Sequence, residues 1–365
     1  MRVVIAGGGT GGHLYPGIAV ARELQRRMPD ARVSFAGTAR GIESRVVPRE
    51  GFALDLLRSA GLKGKSLRAR LRGATLVPLG LADAWRILSA RRPNVVVGVG
   101  GYSSGPVVMA AALRGIPTMV LEQNAVPGLT NRVLSRVVRA AAVTYDETLA
   151  YFRGRGFVAG NPVRAEFFQA AGTRGDRDAS EPPRVLILGG SQGAHAINVA
   201  MVAAAAELAR PSNGGAQLRI VHQTGERDLA FVRQGYETAG LAARVEPFLD
   251  PVAPEMTSAD VVVCRAGATT LAELAASGRP AVLVPFPGAT DDHQRKNAMV
   301  LANAGAAICI DQRDLSGAGL ASALSALVDD RRRLADMSGA MRQFARPDAA
   351  RRIVDRMLEI ARGRT

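Results

Sequence analysis

Short apolar runs, closed by glycine, proline or polar residues, recur along the whole chain with helix-period segments between them. In the first half they read RVVIAG (2–7), RVSFAG (32–37), FALDLL (52–57), NVVVGVG (94–100), PTMVLEQ (117–123), AAAVTY (140–145) and FVAG (157–160). Runs of this kind predict strands buried on both faces, as in a parallel sheet with crossover helices. The stretch AGTRGDRDASEPP (171–183) breaks the pattern. It is polar, rich in glycine and proline and without periodicity, and predicts a surface connection close to a domain boundary. The scheme then restarts with RVLILG (184–189), LRIVHQ (218–223), RVEPF (244–248), DVVVCR (260–265), PAVLVP (280–285) and AAICI (306–310).

Both halves begin with the same event, a strand, a glycine-rich turn and a helix: IAGGGTGGH and ILGGSQGAH. With 365 residues, the chain exceeds one ordinary domain, and two of about 150–180 residues are expected. The reading is α/β, with two Rossmann-like domains whose parallel sheets face each other across a cleft. The expected boundaries are 1–160 and 161–346. The tail DAARRIVDRMLEIARGR reads as a basic amphipathic helix, and 347–365 is expected to pack back on the first domain.

Hydrophobic residues make up 47% of the chain, enough for two cores, and no apolar run is long enough to span a bilayer. The first residues are a short strand and lack the pattern of a secretory leader, so the chain is expected to stay in the cytoplasm. Cys264 and Cys309 have neither disulfide-framework nor metal-like spacing. The net charge of +15 is almost all arginine, since lysine occurs only at Lys63, Lys65 and Lys296. Such a charge favours anionic partners, although genomic composition accounts for part of it.

Gly7, Gly9 and Gly12 satisfy G-x-G-x-x-G after the first strand, which invites a dinucleotide reading. That fold needs an acid at the end of the second strand to hold the ribose. Here the strand ends FAGTARG, with Gly37 and Thr38 in that place and Glu43 beyond the turn. His13 closes the loop and is either a helix-start residue that packs or a proton-transfer group. The second loop, Gly189 to Gly193 with Ser191 inside it, is the better phosphate candidate.

CRAGATTLAELAASGRP (264–280) follows another core strand. Thr270-Leu271-Ala272-Glu273 fits a capping box, which would account for Glu273, while a glutamate there could equally accept two ribose hydroxyls. In PGATDDHQRKN (287–297), Asp291, Asp292 and His293 lack a second ligand cluster, so no metal is expected. Gln294 and Asn297 could recognise sugar hydroxyls or simply begin a solvated helix. Arg164 in AGNPVR could reach a diphosphate or form an ordinary salt bridge. Arg58 to Arg92 holds nine basic residues against one acid, Asp83, interleaved with LVPLGLADAWRIL and the only tryptophan. That mixture fits a surface for anionic lipid, or an amphipathic helix with a solvated basic face; nothing in it supports nucleic acid.

Taken together, GGGTGGHLYPGIAVA, GVGGYSSGP, LEQNAVPGLTNR, GNPVR, GGSQGA, CRAGATTLAE and DDHQRKNA closely resemble the MurG-type peptidoglycan glycosyltransferases of family 28, in order and over essentially the whole chain. The resemblance implies a GT-B fold and an inverting transfer of N-acetylglucosamine (GlcNAc) from UDP-GlcNAc to the C4 hydroxyl of MurNAc in lipid I, giving lipid II and UDP. It implies no cofactor. By the same resemblance Ser191 and Arg164 contact the diphosphate region, and Phe248 and Leu249 border the uracil. Ala268, Thr269, Thr270, Leu271, Ala272 and Glu273 reach phosphate and ribose, and Gln294 reads the GlcNAc. Thr10, Gly11, Gly12 and Asn124 complete the donor site, while Tyr102, Glu122 and His13 lie near the acceptor. His13 is the first choice of base and Glu122 the second. Leu121 departs from the family, which carries a histidine there, so that side chain's role does not transfer. The implied setting is peripheral, on the cytoplasmic face of the inner membrane, held by the Arg58–Arg92 region and open to other cell-wall synthesis proteins. A nucleotide-cofactor oxidoreductase, a noncatalytic sugar-nucleotide or lipid-binding protein, and a GT-B enzyme with another acceptor are the competing readings.

Overall fold

The computed structural model describes residues 1–59, 67–169, 181–190, 193–210 and 218–363, with side chains for all of these except 67–77 and 169. Most of the polar connection at 171–183 therefore lies outside the described residues. The chain divides into two compact units, one formed by Met1–Val163 with Arg346–Thr365 and the other by Arg164–Ala345.

The first unit is built on β1 (Arg2–Gly7), β2 (Arg32–Gly37), β3 (Ala53–Leu56), β4 (Val95–Gly100), β5 (Thr118–Glu122), β6 (Ala140–Val143) and β7 (Gly156–Val158). All pair in parallel, in the order β3-β2-β1-β4-β5-β6-β7. Because side chains alternate along a strand, β1 feeds two separate cores. Val3 and Ile5 join Leu14 and Leu24 of the helix Gly11–Arg27 on one face. Val4 and Ala6 join Ala84, Leu88 and Val107 on the other. The helix Ala349–Ala361 closes the first of these layers: Ile353, Val354, Met357 and Ile360 are fully buried in it, and Arg27 pairs with Asp355. Their near-helical spacing puts all four on one stripe, which is why this segment folds onto the sheet.

The second unit is built on β8 (Arg184–Leu188), β9 (Arg219–Gln223), β10 (Ala243–Glu246), β11 (Val261–Cys264), β12 (Ala281–Leu283) and β13 (Ala307–Cys309). These too are parallel, in the order β10-β9-β8-β11-β12-β13. The alanine-rich helix His195–Leu208 and the helix Gly317–Val328 cover one face. In each unit the strand order reverses once, between β1 and β4 and between β8 and β11. At such a reversal the flanking loops part and leave a crevice outside the strand ends, so the sites are sought there.

Candidate active site

In the first unit the glycine loop runs from Gly7 to the start of the helix at Gly11, with Gly9 at φ +86°. A side chain at Gly7 would strike the Gly100 carbonyl at 2.4 Å, and one at Gly101 the Gly8 carbonyl at 2.3 Å. The loops after β1 and β4 thus touch backbone to backbone, which only glycine allows. The loop's anion is internal. Glu43, 1% exposed, accepts the Gly9 N–H at 2.7 Å, the Thr38 N–H at 2.8 Å and the Thr38 hydroxyl at 2.9 Å. Added carbons at Gly8, Gly37 and Gly41 would all collide with this carboxylate. The acid absent from the end of the second strand is thus supplied from the next helix, where it meets the protein's own backbone.

His13 lies in the first turn of the helix, against Gly100, where an added Cβ would come within 2.6 Å of Nδ1. Its Nδ1 is 3.3 Å from Oε1 of Gln123. The Gln123 Nε2 donates to the Val99 carbonyl at 3.1 Å, which turns Oε1 toward the imidazole. A carbonyl oxygen only accepts, so this contact puts a proton on Nδ1 and leaves Nε2 as the nitrogen that can accept one when the ring is neutral. Glu122, at the end of β5, is buried and accepts from Asn124 N (3.0 Å), Asn124 Nδ2 (3.1 Å), Gly128 N (3.2 Å) and Asn131 Nδ2 (2.9 Å). Both of its oxygens are committed to holding the loop that carries Asn124. Tyr102 is exposed beyond the β4 loop, whose Tyr102 carbonyl accepts the Ser59 hydroxyl at 2.7 Å. Thr10 is the N-cap of the helix, and Gly11 and Gly12 open its first turn. The sheet therefore gathers Thr10 to His13, Tyr102, Glu122 and Asn124 at the carboxyl ends of three adjacent strands, β1, β4 and β5.

In the second unit the loop after β8 holds Gly190 at φ +72° and Gly193 at φ +74°. Ser191 lies outside the described residues. The helix after β11 begins at Ala268 with Gly267 as N-cap and no side-chain cap. Thr270 therefore stands inside the first turn and Glu273 in the second, and the capping-box explanation of Glu273 fails. Ala268, Thr269 and Thr270 form the partly exposed start of this helix, whose N–H groups and dipole favour an anion. Leu271 is buried and anchors the helix, with Ala272 beside it partly exposed. Arg164 meets Glu166 at 2.9 Å, approaches Glu273 at 3.9 Å and stacks 5.1 Å from the Phe167 ring. Burial pushes the Glu273 carboxyl up to about 7, with Arg164 opposing the shift and Glu166 adding to it.

Leu249 is buried beyond the end of β10, and its N–H donates to Gln223 Oε1 at 3.1 Å. Phe248 beside it is exposed. Gln294 opens the helix His293–Asn303, and its Oε1 accepts the Phe286 N–H at 2.9 Å. Just before it Asp291 and Asp292 stand at φ +57° and +55°, a strained pair of non-glycine residues of the kind that clusters at binding sites. Asn297, which read as a sugar-binding candidate, is wholly buried, with Nδ2 toward the Ala266 carbonyl at 3.4 Å. It ties its helix to the β11 turn instead. Glu43, Gln123 and Gln223 were not legible as site residues. Each works through a partner distant in sequence, and only the position of Gln123 and Gln223 at strand ends hints at it.

The chain matches two family models: residues 3–143 the glycosyltransferase family 28 N-terminal domain and residues 184–353 the family 28 C-terminal domain. It is 46% identical to the UDP-N-acetylglucosamine--N-acetylmuramyl-(pentapeptide) pyrophosphoryl-undecaprenol N-acetylglucosamine transferase of Anaeromyxobacter sp. (strain K), over 100% of this chain and 94% of the relative. The enzyme of the same name from Geobacter sulfurreducens is 44% identical over 99% of both. Among solved structures, Acinetobacter baumannii MurG superposes with a TM-score of 0.80 at 32% identity, covering 98% of this chain and 99% of the other. These likenesses make the two sheets the two Rossmann-like domains of a GT-B fold.

Replacing Glu43 by Ala strips the acceptor from the Gly9 and Thr38 N–H groups and the Thr38 hydroxyl, and should lower the stability of the first unit by about 1–3 kcal/mol. Denaturant unfolding reads this, and an unchanged midpoint would mean the loop is held by something else. For Glu273 the folded carboxyl lies above its ordinary value of 4.5. The folded state therefore keeps a proton that the unfolded chain has released, and stability is full below that value and falls as pH rises through about 7. Glu273→Gln should stabilise the second unit by on the order of 2–3 kcal/mol at about pH 8 and by little near pH 4.5, as followed by unfolding at the two pH values.

Proposed function

The chain belongs to glycosyltransferase family 28, and from this we infer that it transfers GlcNAc from UDP-GlcNAc to the C4 hydroxyl of MurNAc in undecaprenyl-pyrophosphoryl MurNAc-pentapeptide, releasing UDP. The observation that carries the reading is 46% identity, over the full chain, to transferases named for this reaction. The acceptor hydroxyl attacks the anomeric carbon of the α-linked GlcNAc as the bond to UDP breaks. The new linkage is β, and the hydroxyl proton must leave to a base. His13 suits that task, because Gln123 fixes its tautomer with the lone pair on Nε2. Glu122 suits it less, since four hydrogen bonds already hold its carboxylate. We assign it the anchoring of the Asn124 loop.

The departing diphosphate gains negative charge, which fixed dipoles and cations stabilise best. The start of the helix Ala268–Ser277 and the Arg164 guanidinium are the groups in the second unit that can meet it, with Ser191 a further contact by family likeness. Glu273 beside Arg164 is positioned to accept ribose hydroxyls, and Leu249 offers its segment to the base. The NH2 of Gln294, whose oxygen is held by Phe286, is the donor for a GlcNAc hydroxyl. Thr10, Gly11, Gly12 and Asn124 complete the donor side, and Tyr102 belongs to the acceptor side.

The acceptor is a membrane lipid, and no helix among the described residues is long and apolar enough to cross a bilayer. We propose peripheral attachment to the anionic inner leaflet through the Arg58–Arg92 region. Supporting it, Trp85 is 50% exposed and Leu113 71%, Leu79 is also exposed, and the Arg114 guanidinium stacks 4.9 Å from the Trp85 ring. An indole beside a cation at the surface suits the boundary between headgroups and acyl chains. Arg58 and Arg91 are paired at close range with Asp83 and Asp55, whereas Arg86 stands 3.8 Å from Asp83 with its side chain 75% exposed, open to lipid headgroups.

Incubated with UDP-GlcNAc and a soluble lipid I analogue, the protein should release UDP only when the acceptor is present. Binding of UDP-GlcNAc without acceptor-dependent release would move the reading to another acceptor or to a binding protein. His13→Ala should lower kcat by about a hundredfold or more while leaving UDP affinity near normal; near-normal turnover rejects the base assignment. Replacing Trp85 and Arg86 by Ala should weaken sedimentation with anionic liposomes, and unchanged binding would remove the membrane role from this region.

A further inference from the structure

We propose that Gln223 is a positioning residue for the donor nucleotide, joining the glycine loop that faces phosphate to the segment at Leu249 that faces the base. This rests on the reading of the second unit as the donor site. Gln223 is the last residue of β9, the strand lying between β8 and β10. The loop after β8 and the segment after β10 therefore leave the sheet on either side of it. Its backbone carbonyl accepts the Gly189 N–H at 2.9 Å. Its side chain then donates from Nε2 to the Gly190 carbonyl at 2.9 Å and accepts from the Leu249 N–H at 3.1 Å. At 4% exposure the amide is shielded from water, which could otherwise replace either bond.

A neutral amide of this length, or its protonated carboxyl analogue, can donate to one carbonyl and accept from one N–H at this point, whereas a carboxylate can only accept. The neighbours of Gln223 fix the backbone it stands on. The Thr224 carbonyl accepts from Asn198 Nδ2 at 3.0 Å, and a side chain at Gly193 would strike that carbonyl at 2.4 Å. On the other side His222, held neutral by burial, meets Asn198 Oδ1 at 3.0 Å and the Tyr236 hydroxyl at 2.7 Å. Asn198 also donates to Asp228, which pairs with His195. The strand end is therefore rigid, and the amide transmits that rigidity to both loops. Preformed loops lower the ordering needed on binding, so the role is read in donor affinity.

The test is a pH series on Gln223→Glu, with UDP binding measured by calorimetry against the unaltered protein at each pH. As a carboxylate the new side chain faces the Gly190 carbonyl with no proton to give, and UDP should bind at least tenfold more weakly near pH 8. Protonation toward pH 5.5 restores a donor and an acceptor, and the ratio of the two affinities should return toward one. Taking the ratio removes the titration of Glu273, which both proteins share; Glu246, opposite Gln223 on β10, and the Asp228–His195 pair are common to both as well. Gln223→Met, of similar bulk and without polar atoms, should show the loss at every pH. In turnover both variants should raise KM for UDP-GlcNAc and leave kcat nearly unchanged. A ratio near one throughout, or one that ignores pH in Gln223→Glu, overturns the role. Failure of the unaltered protein to bind UDP would instead bring down the donor reading, and this role with it.

Discussion

In a wholly parallel sheet every strand ends on the same side, and the N–H groups of the loops that follow must find acceptors in a crowded space. That constraint organises both units of this chain. In the first, the register of β1 against β4 presses the two loops together at Gly7, Gly8, Gly100 and Gly101, leaving no room for side chains. The Gly9 N–H is then satisfied by Glu43, a carboxylate of the protein's own. In the second, the loop after β8 is held from behind by the neutral amide of Gln223, and no carboxylate hydrogen-bonds to its described residues. Two loops that look alike as sequences thus differ in charge economy: one carries its anion built in, and the other is the better place to receive one.

The same logic runs through the groups proposed to bear the chemistry. His13, Gly100, Gln123 and the Val99 carbonyl form one chain of contacts that decides which imidazole nitrogen holds the proton. Glu122, one residue away from Gln123, points to the opposite side of the strand and is spent on structure. In the second unit Glu273 is the carboxyl whose burial matters most: it sits near Arg164 and beside a helix start without a side-chain cap, and its proton is held to about 7. In the proposed reading, a sugar nucleotide there would offer a diphosphate to the cation and helix start, and hydroxyls to the carboxylate. The consecutive left-handed residues Asp291 and Asp292 store strain just ahead of Gln294, the residue proposed to read the sugar.

The strands were legible from hydrophobic patterning. RVVIAG and RVSFAG coincide with β1 and β2, and the remaining apolar runs agree with their strands to within two residues, because burial on both faces leaves a continuous signal. Helix starts were less legible. The S/T-x-x-E pattern at Thr270 and Glu273 named a cap that the backbone places three residues earlier, at Gly267, since glycine in an extended conformation can end a strand turn as well as threonine can. Asn297 was misread for a related reason: a polar residue in a polar run looks solvated, and only the packing of its helix shows it buried.

Local sequence therefore determined what local physics governs: strands from apolar runs, glycine loops from conformational freedom, the class of fold from their alternation, and, through seven motifs in order, the family. The tertiary structure decided the partners of buried polar atoms. Glu43 reaches Gly9 across 34 residues, Gln123 reaches His13 across 110, and Gln223 reaches Gly190 across 33. A hydrogen bond in a dry interior depends on which strand lies beside which, and strand order is fixed by long-range packing that no short window of sequence contains.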